Sequence, residues 1–107
     1  MVTLALDIEK NIRRFVTEVQ SQYDVQAIYL FGSHASGEAN EWSDIDLLVI
    51  SPDFTKDRFE SQVALLILAS RIDTRLEPHP LPPEDFNVNN QLAYEVQHAG
   101  VRISIGD

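Results

Sequence analysis

The sequence predicts an α+β domain in which helices pack against a small β-sheet. Two observations carry this. Short apolar runs at 26–31 and 47–50 end in Gly-Ser and Ser-Pro breaks, as buried strands do. Longer stretches at 6–23 and 55–71 repeat apolar residues every three or four positions, as packed helices do. The 107 residues suffice for one domain, 1–107, with its own core and no separate substrate-binding unit.

The first helix, 6–23, turns Ile8, Ile12, Phe15, Val16, Val19 and Tyr23 to one side. Glu9, Lys10, Arg13, Arg14 and Glu18 lie on the other, and Asp7 favours the N-terminal turn. The pair Arg13-Arg14 reads as a solvated helix face rather than a phosphate contact. Residues 26–31 form a strand that stops at Gly32-Ser33, and 34–37 begin a short helix. Leu47 to Ile50 is apolar without alternation, which suits a central strand covered on both faces.

Asp53 or Thr55 is expected to cap the helix that runs to Arg71, with Phe59, Val63, Leu66 and Ile67 inward and Leu65 and Leu68 widening the stripe. Residues 72–81 alternate as a half-buried strand, whose far end Pro78 and Pro80 assign to a sheet edge. A short turn follows at 82–86. A helix over 87–99 is expected to bury Leu92, Val96 and also Ala93 and Ala99, with Gly100 as its stop. Residues 101–105 alternate as a last strand.

The chemistry concentrates between the first two strands. Gly32-Ser33 is followed by ten polar-rich residues, 34–43, and then by Asp44-x-Asp46 leading into the apolar strand. Side chains at i and i+2 of a strand share a face, about 7 Å apart along the backbone. Two carboxylates that close repel, and a divalent cation between them relieves the repulsion. Hard oxygen ligands suit Mg²⁺ or Mn²⁺. A phosphate-gripping turn facing two carboxylates favours phosphoryl or nucleotidyl transfer. Asp73 and Glu77, which share a face by parity, are candidates for a third carboxylate, against ordinary surface charge or pairing with Arg75. His34 reads as a solvated loop side chain. Trp42 is assigned to packing over the loop or to a partner surface rather than to a base. His79 and His98 are not spaced as a metal pair and receive no ligand role.

Seventeen acidic against eight basic residues give a net charge of −9, so a phosphate backbone would be repelled. This argues against stable nucleic-acid binding and for a basic protein partner or a small metal-chelated nucleotide. The absence of cysteine excludes disulfides and thiolate metal sites and is compatible with the cytoplasm. No apolar run is long enough to span a bilayer, and the N-terminus lacks the pattern of a signal peptide, so no membrane association is expected.

The run Gly32-Ser33, ten residues, Asp44-x-Asp46 resembles the signature of the minimal nucleotidyltransferases, a branch of the DNA polymerase β-like nucleotidyltransferase superfamily. The resemblance implies a mixed sheet flanked by helices. It implies that Gly32 and Ser33 bind the β- and γ-phosphates of ATP, and that Asp44 and Asp46 coordinate Mg²⁺ or Mn²⁺. A third carboxylate on a later strand is expected to complete the catalytic set. Glu77 is the first choice, because the Pro-x-Pro and Pro-Pro-Glu-Asp-Phe after it resemble the family's segment there, and Asp73 is the second. Two departures stand out: Ser36 occupies a position where relatives often carry arginine, and the third carboxylate is Glu rather than the commoner Asp. Members are commonly paired with HEPN-domain toxins, and some transfer AMP from ATP to a toxin tyrosine as antitoxins. That activity is the expectation here. The alternative is a module that neutralises its partner by docking, its nucleotide site vestigial. Self-association is left open.

Overall fold

The computed structural model describes residues 4–105. Its elements, in chain order, are α1 (Leu6–Gln22), β1 (Ala27–Phe31), α2 (Ser33–Ser36), β2 (Ile45–Ile50), α3 (Arg58–Ser70), β3 (Leu76–Leu81), α4 (Gln91–Ala99) and β4 (Val101–Ile103), with 3-10 turns at Pro52–Phe54 and Pro83–Asp85. The sheet order is β3-β2-β1-β4. β1 pairs antiparallel with β2 and β4, and β2 pairs parallel with β3, so the sheet is mixed. Among the described residues, no helix is long and apolar enough to cross a membrane.

The strand period divides the apolar side chains into two layers. One joins Ile28, Leu30, Ile45, Leu47, Val49 and Leu76 to Ile12, Phe15 and Val19 of α1 and to Leu65 and Ala69 of α3. The other joins Ala27, Phe31, Leu48, Ile50 and Leu81 to Ala93 and Val96 of α4. β2 is covered on both faces, as its unbroken apolar run predicts: Leu47, Leu48 and Val49 are fully buried.

Both prolines of β3 fit the sheet edge. The carbonyls of Arg75 and Leu81 accept from the N–H groups of Ile45 and Ser51, so the odd positions of β3 bond toward β2. Pro78 and Pro80 therefore turn their missing N–H to the open side. On that side, Gln62 Nε2 donates to the Pro78 carbonyl over 2.7 Å.

This bond also decides how α3 sits, and it overturns the expected face. Leu65 and Ala69 are buried, whereas Phe59 is 80% exposed and Leu66 and Ile67 are about half exposed. Leucine and isoleucine occur on both sides of this helix, so the 3.6-residue period alone permits two orientations. Gln62 and the small Ala69 select the one that reaches β3. The cap differs too. Asp57, not Asp53 or Thr55, accepts from the Glu60 N–H over 2.9 Å, an Asp-x-x-Glu capping arrangement. Asp53 instead lies in the 3-10 turn, where its N–H donates to Ser51 Oγ.

Helix α4 starts at Gln91 rather than 87, capped by Asn90 Oδ1, which accepts from the Ala93 N–H. Ala99 is exposed. β3 begins at Leu76, four residues later than the alternating pattern suggests. Ile72–Arg75 forms a turn instead, closed by the Leu76 N–H donating to the Asp73 carbonyl.

Candidate active site

β1 and β2 are antiparallel with Phe31 opposite Asp46, and β2 and β3 are parallel with Asp46 opposite Glu77. The register therefore brings the end of the first strand, the Asp-x-Asp run and Glu77 to one corner of the sheet. Asp46 and Glu77 lie on the face that α4 covers only farther along, over Leu48, Ile50 and Leu81. Asp46 is partly buried, and Asp44, one residue before β2, is exposed.

Gly32 turns the chain at this corner with φ of +75°, a conformation that side chains disfavour. A Cβ there would collide with the Asp46 carboxylate, coming within 3.3 Å of its Cγ and closer still to Oδ2. The glycine thus sets both the turn and the distance between the turn and the carboxylate. α2 follows at once, with the N–H groups of Ala35 and Ser36 donating to the Gly32 carbonyl. Phe31, Gly32, Ser33, Ser36, Glu38, Glu95 and Ala99 line a cleft of about 410 Å³ between this turn and α4. Its charged groups are both acidic, so a bare polyphosphate would be repelled from it and a cation-bound one less so.

Two carboxyls at the corner are held above their usual range. For Asp46 the main cause is burial, reinforced by the negative charge of Asp44 and opposed by His79. For Glu77 it is again burial, followed by a hydrogen bond with the Asp44 carboxyl and the charge of Asp46. The negative charge of Asp44 thus bears on both groups from one residue before β2.

Asp73, the alternative third carboxylate, is elsewhere. It accepts from Arg75 Nη2 at 2.7 Å, Arg75 Nε at 3.1 Å and Asn11 Nδ2 at 3.0 Å. The Arg75 hydrogen bonds hold its carboxyl well below the usual range, at about 2. It ties the α3–β3 turn to α1, the pairing with Arg75 that was weighed against a site role.

Two histidines depart from expectation. His34 is buried rather than solvated, and its Nε2 lies 3.4 Å from the Ser43 carbonyl, across the loop between the turn and Asp44. His79, given no role from sequence, sits at the site. Its Nε2 is 3.6 Å from Asp46 Oδ1 and 3.7 Å from Glu77 Oε1, and that nitrogen is buried with no hydrogen-bond partner. The signal was present in the sequence: Glu77-x-His79 on a strand obeys the same parity as Asp44-x-Asp46. Trp42 is 82% exposed and does not pack over its loop. Arg13 pairs with Glu9 on the solvated side of α1, as expected.

Asp46, Glu77 and His79 each present one donor atom, all within 4.8 Å of one another. Two carboxylate oxygens and a buried imidazole nitrogen are a donor set that fits a divalent cation, and Asp44 is not among its three members.

Comparison with known proteins agrees with this geometry. Residues 12–97 match the nucleotidyltransferase domain family. Two proteins of Methanocaldococcus jannaschii named as candidate protein adenylyltransferases are similar in sequence. One is 41% identical over 59 residues, spanning 52% of this chain and 67% of that protein. The other is 35% identical over 71 residues, spanning 63% of this chain and about half, 48%, of that protein. Among solved structures, a candidate nucleotidyltransferase from Sulfolobus solfataricus superposes with a TM-score of 0.54 at 26% identity, covering 79% of this chain and 81% of that one. A chain from a toxin–antitoxin complex solved with AMP-PNP shares the fold with a TM-score of 0.66 at 24% identity, covering 92% and 74%. With its mixed sheet, its Gly-Ser turn and the acidic corner beside it, this chain belongs to the nucleotidyltransferase domain family.

Proposed function

We propose that this protein is a metal-dependent nucleotidyltransferase that moves AMP from ATP to a tyrosine hydroxyl of a HEPN-type toxin, and so acts as the toxin's antitoxin. The observation that carries the reading is Asp46 in register with Glu77 beside a glycine pressed against the Asp46 carboxylate, with Asp44 one residue before that strand. Asp44, Asp46 and Glu77 would hold Mg²⁺ or Mn²⁺. When bound, such ions neutralise charge on the phosphates and lower the pKa of the attacking hydroxyl. Gly32 and Ser33 would receive the β- and γ-phosphates, the glycine by lacking a Cβ and the serine through its hydroxyl. The acceptor oxygen bonds to the α-phosphorus as the α–β bridging bond breaks, and pyrophosphate leaves. Glu77, in register with Asp46 at the same corner, would help to take up the hydroxyl proton.

The names of the Methanocaldococcus proteins support AMP as the group transferred, and the AMP-PNP toxin–antitoxin neighbour supports a toxin as acceptor. The net charge of −9 suits a basic partner, and ATP and magnesium suit a cytoplasmic setting. The test is to incubate the protein with labelled ATP, Mg²⁺ and the product of the adjacent gene. The wild type is expected to label that product, and Asp44→Ala with Asp46→Ala to reduce labelling at least about 100-fold. No transfer by wild type, or equal transfer by the double variant, overturns the reading.

The second reading, neutralisation by docking, is favoured by the exposed stripe Phe59, Val63, Leu66 and Ile67 on α3 and by Ser36 in place of arginine. A double carboxylate variant that still neutralises the partner would select it.

A further inference from the structure

We propose that His79 is a direct ligand of the cation held by Asp46 and Glu77, and that its nitrogen shifts the site's preference from Mg²⁺ toward a first-row transition dication such as Mn²⁺. The proposal rests on the nucleotidyltransferase reading of this corner. Three observations support it independently of that reading. At 3.6 and 3.7 Å from the two carboxylate oxygens, His79 Nε2 is too far for a hydrogen bond and near enough to share an ion with both. The nitrogen is buried with these two carboxylates as its polar neighbours, so all three groups face the same space. The ring is also held in place: it lies against Phe31 with centroids 5.3 Å apart, on a strand residue in register with Leu48.

Chemistry supplies the selectivity. Mg²⁺ takes oxygen ligands almost exclusively, whereas imidazole is a good ligand for transition dications, whose affinity for nitrogen rises along the first row. A site of two carboxylates and one imidazole therefore gains more with Mn²⁺ than with Mg²⁺.

The test is Mn²⁺ bound to the nucleotide-free protein, read by electron spin-echo spectroscopy and by calorimetric titration. The wild type is expected to show a ¹⁴N coupling from a directly bound imidazole. His79→Gln is expected to lose that coupling and to bind Mn²⁺ about 10-fold more weakly, with Mg²⁺ affinity changed less than about 2-fold. Bound Mn²⁺ without nitrogen coupling in the wild type overturns the proposal without needing any variant, as does a wild type that takes up no Mn²⁺. Asp46→Asn separates the two readings. If it abolishes Mn²⁺ binding while His79→Gln changes nothing, the carboxylate site stands and the role of His79 falls. If Mn²⁺ binds equally well to Asp46→Asn, the carboxylate site itself is misplaced, and the proposal falls with it.

Discussion

Gly32 and Asp46 are packed so closely that the backbone of one leaves no room for a methyl group beside the carboxylate of the other. Gly32→Ala must therefore either push Asp46 aside or abandon its φ of +75°. The left-handed conformation alone costs about 1–2 kcal/mol for a residue with a Cβ. With the collision added, a loss of about 2–3 kcal/mol is expected in urea denaturation, together with weaker divalent-cation binding. Gly37 has φ of +83° but open space around it, so Gly37→Ala should show the strain without the loss of cation binding.

The acidic corner should be a source of instability in the cation-free protein. Burial raises the Asp46 carboxyl above the usual carboxylate value of 3.8, so this group favours the folded state most below that value. Its contribution is lost as pH rises through the raised value. At neutral pH, Asp46→Asn removes the buried charge and should stabilise the cation-free fold by about 0.5–1 kcal/mol, or a few degrees in Tm. Millimolar Mn²⁺ should reverse the ranking by stabilising the wild type and not the variant, which thermal melts with and without the ion would check.

Asp73 should behave in the opposite way. Its carboxyl is lowered to about 2 from 3.8, and its side chain is only 8% exposed. Its stabilising effect is complete above about pH 5 and fades as the pH falls through about 2. Arg75, its main partner, is 27% exposed, so solvent screens part of the attraction, and Asp73→Asn should cost about 1–2 kcal/mol at pH 7. Denaturation curves of variant and wild type should converge as the pH approaches 2. Nucleotidyl transfer should survive this substitution and fall steeply in Glu77→Gln, which separates the two candidate third carboxylates in one assay.

The two faces of α3 should respond differently to truncation. Leu65 is fully buried, and Leu65→Ala should cost about 2–5 kcal/mol. Leu66 is 47% exposed and Phe59 80%, so Leu66→Ser and Phe59→Ser should each change stability by less than about 0.5 kcal/mol. If this stripe meets a partner, the same two variants should lose co-purification with it while melting like the wild type.

The acidic corner is partly legible in the sequence, because it depends on strand parity and on one glycine. Asp44-x-Asp46 entering an apolar strand after Gly32-Ser33 is visible in residue order alone, although Asp44 lies one residue before β2. Glu77 is expected from resemblance alone, and its position opposite Asp46 depends on a parallel register that the sequence does not display. Asp73 was misplaced because Ile72-x-Thr74-x-Leu76 alternates like a strand, while Arg75 and Asn11 hold those residues in a turn. The face of α3 was not legible because the deciding contact, Gln62 to the Pro78 carbonyl, is tertiary and joins a polar residue to an edge strand. Histidine spacing does not reveal His79, because its neighbours are carboxylates on its own strand and the next.

The prolines of β3 carry one more consequence. With no N–H to offer at 78 and 80, and one of the outward carbonyls already taken by Gln62, the border of the sheet nearest the acidic corner cannot recruit another strand. The chain is thereby guarded against stacking edge to edge where its chemistry lies, and growth of the sheet could proceed only past the three residues of β4.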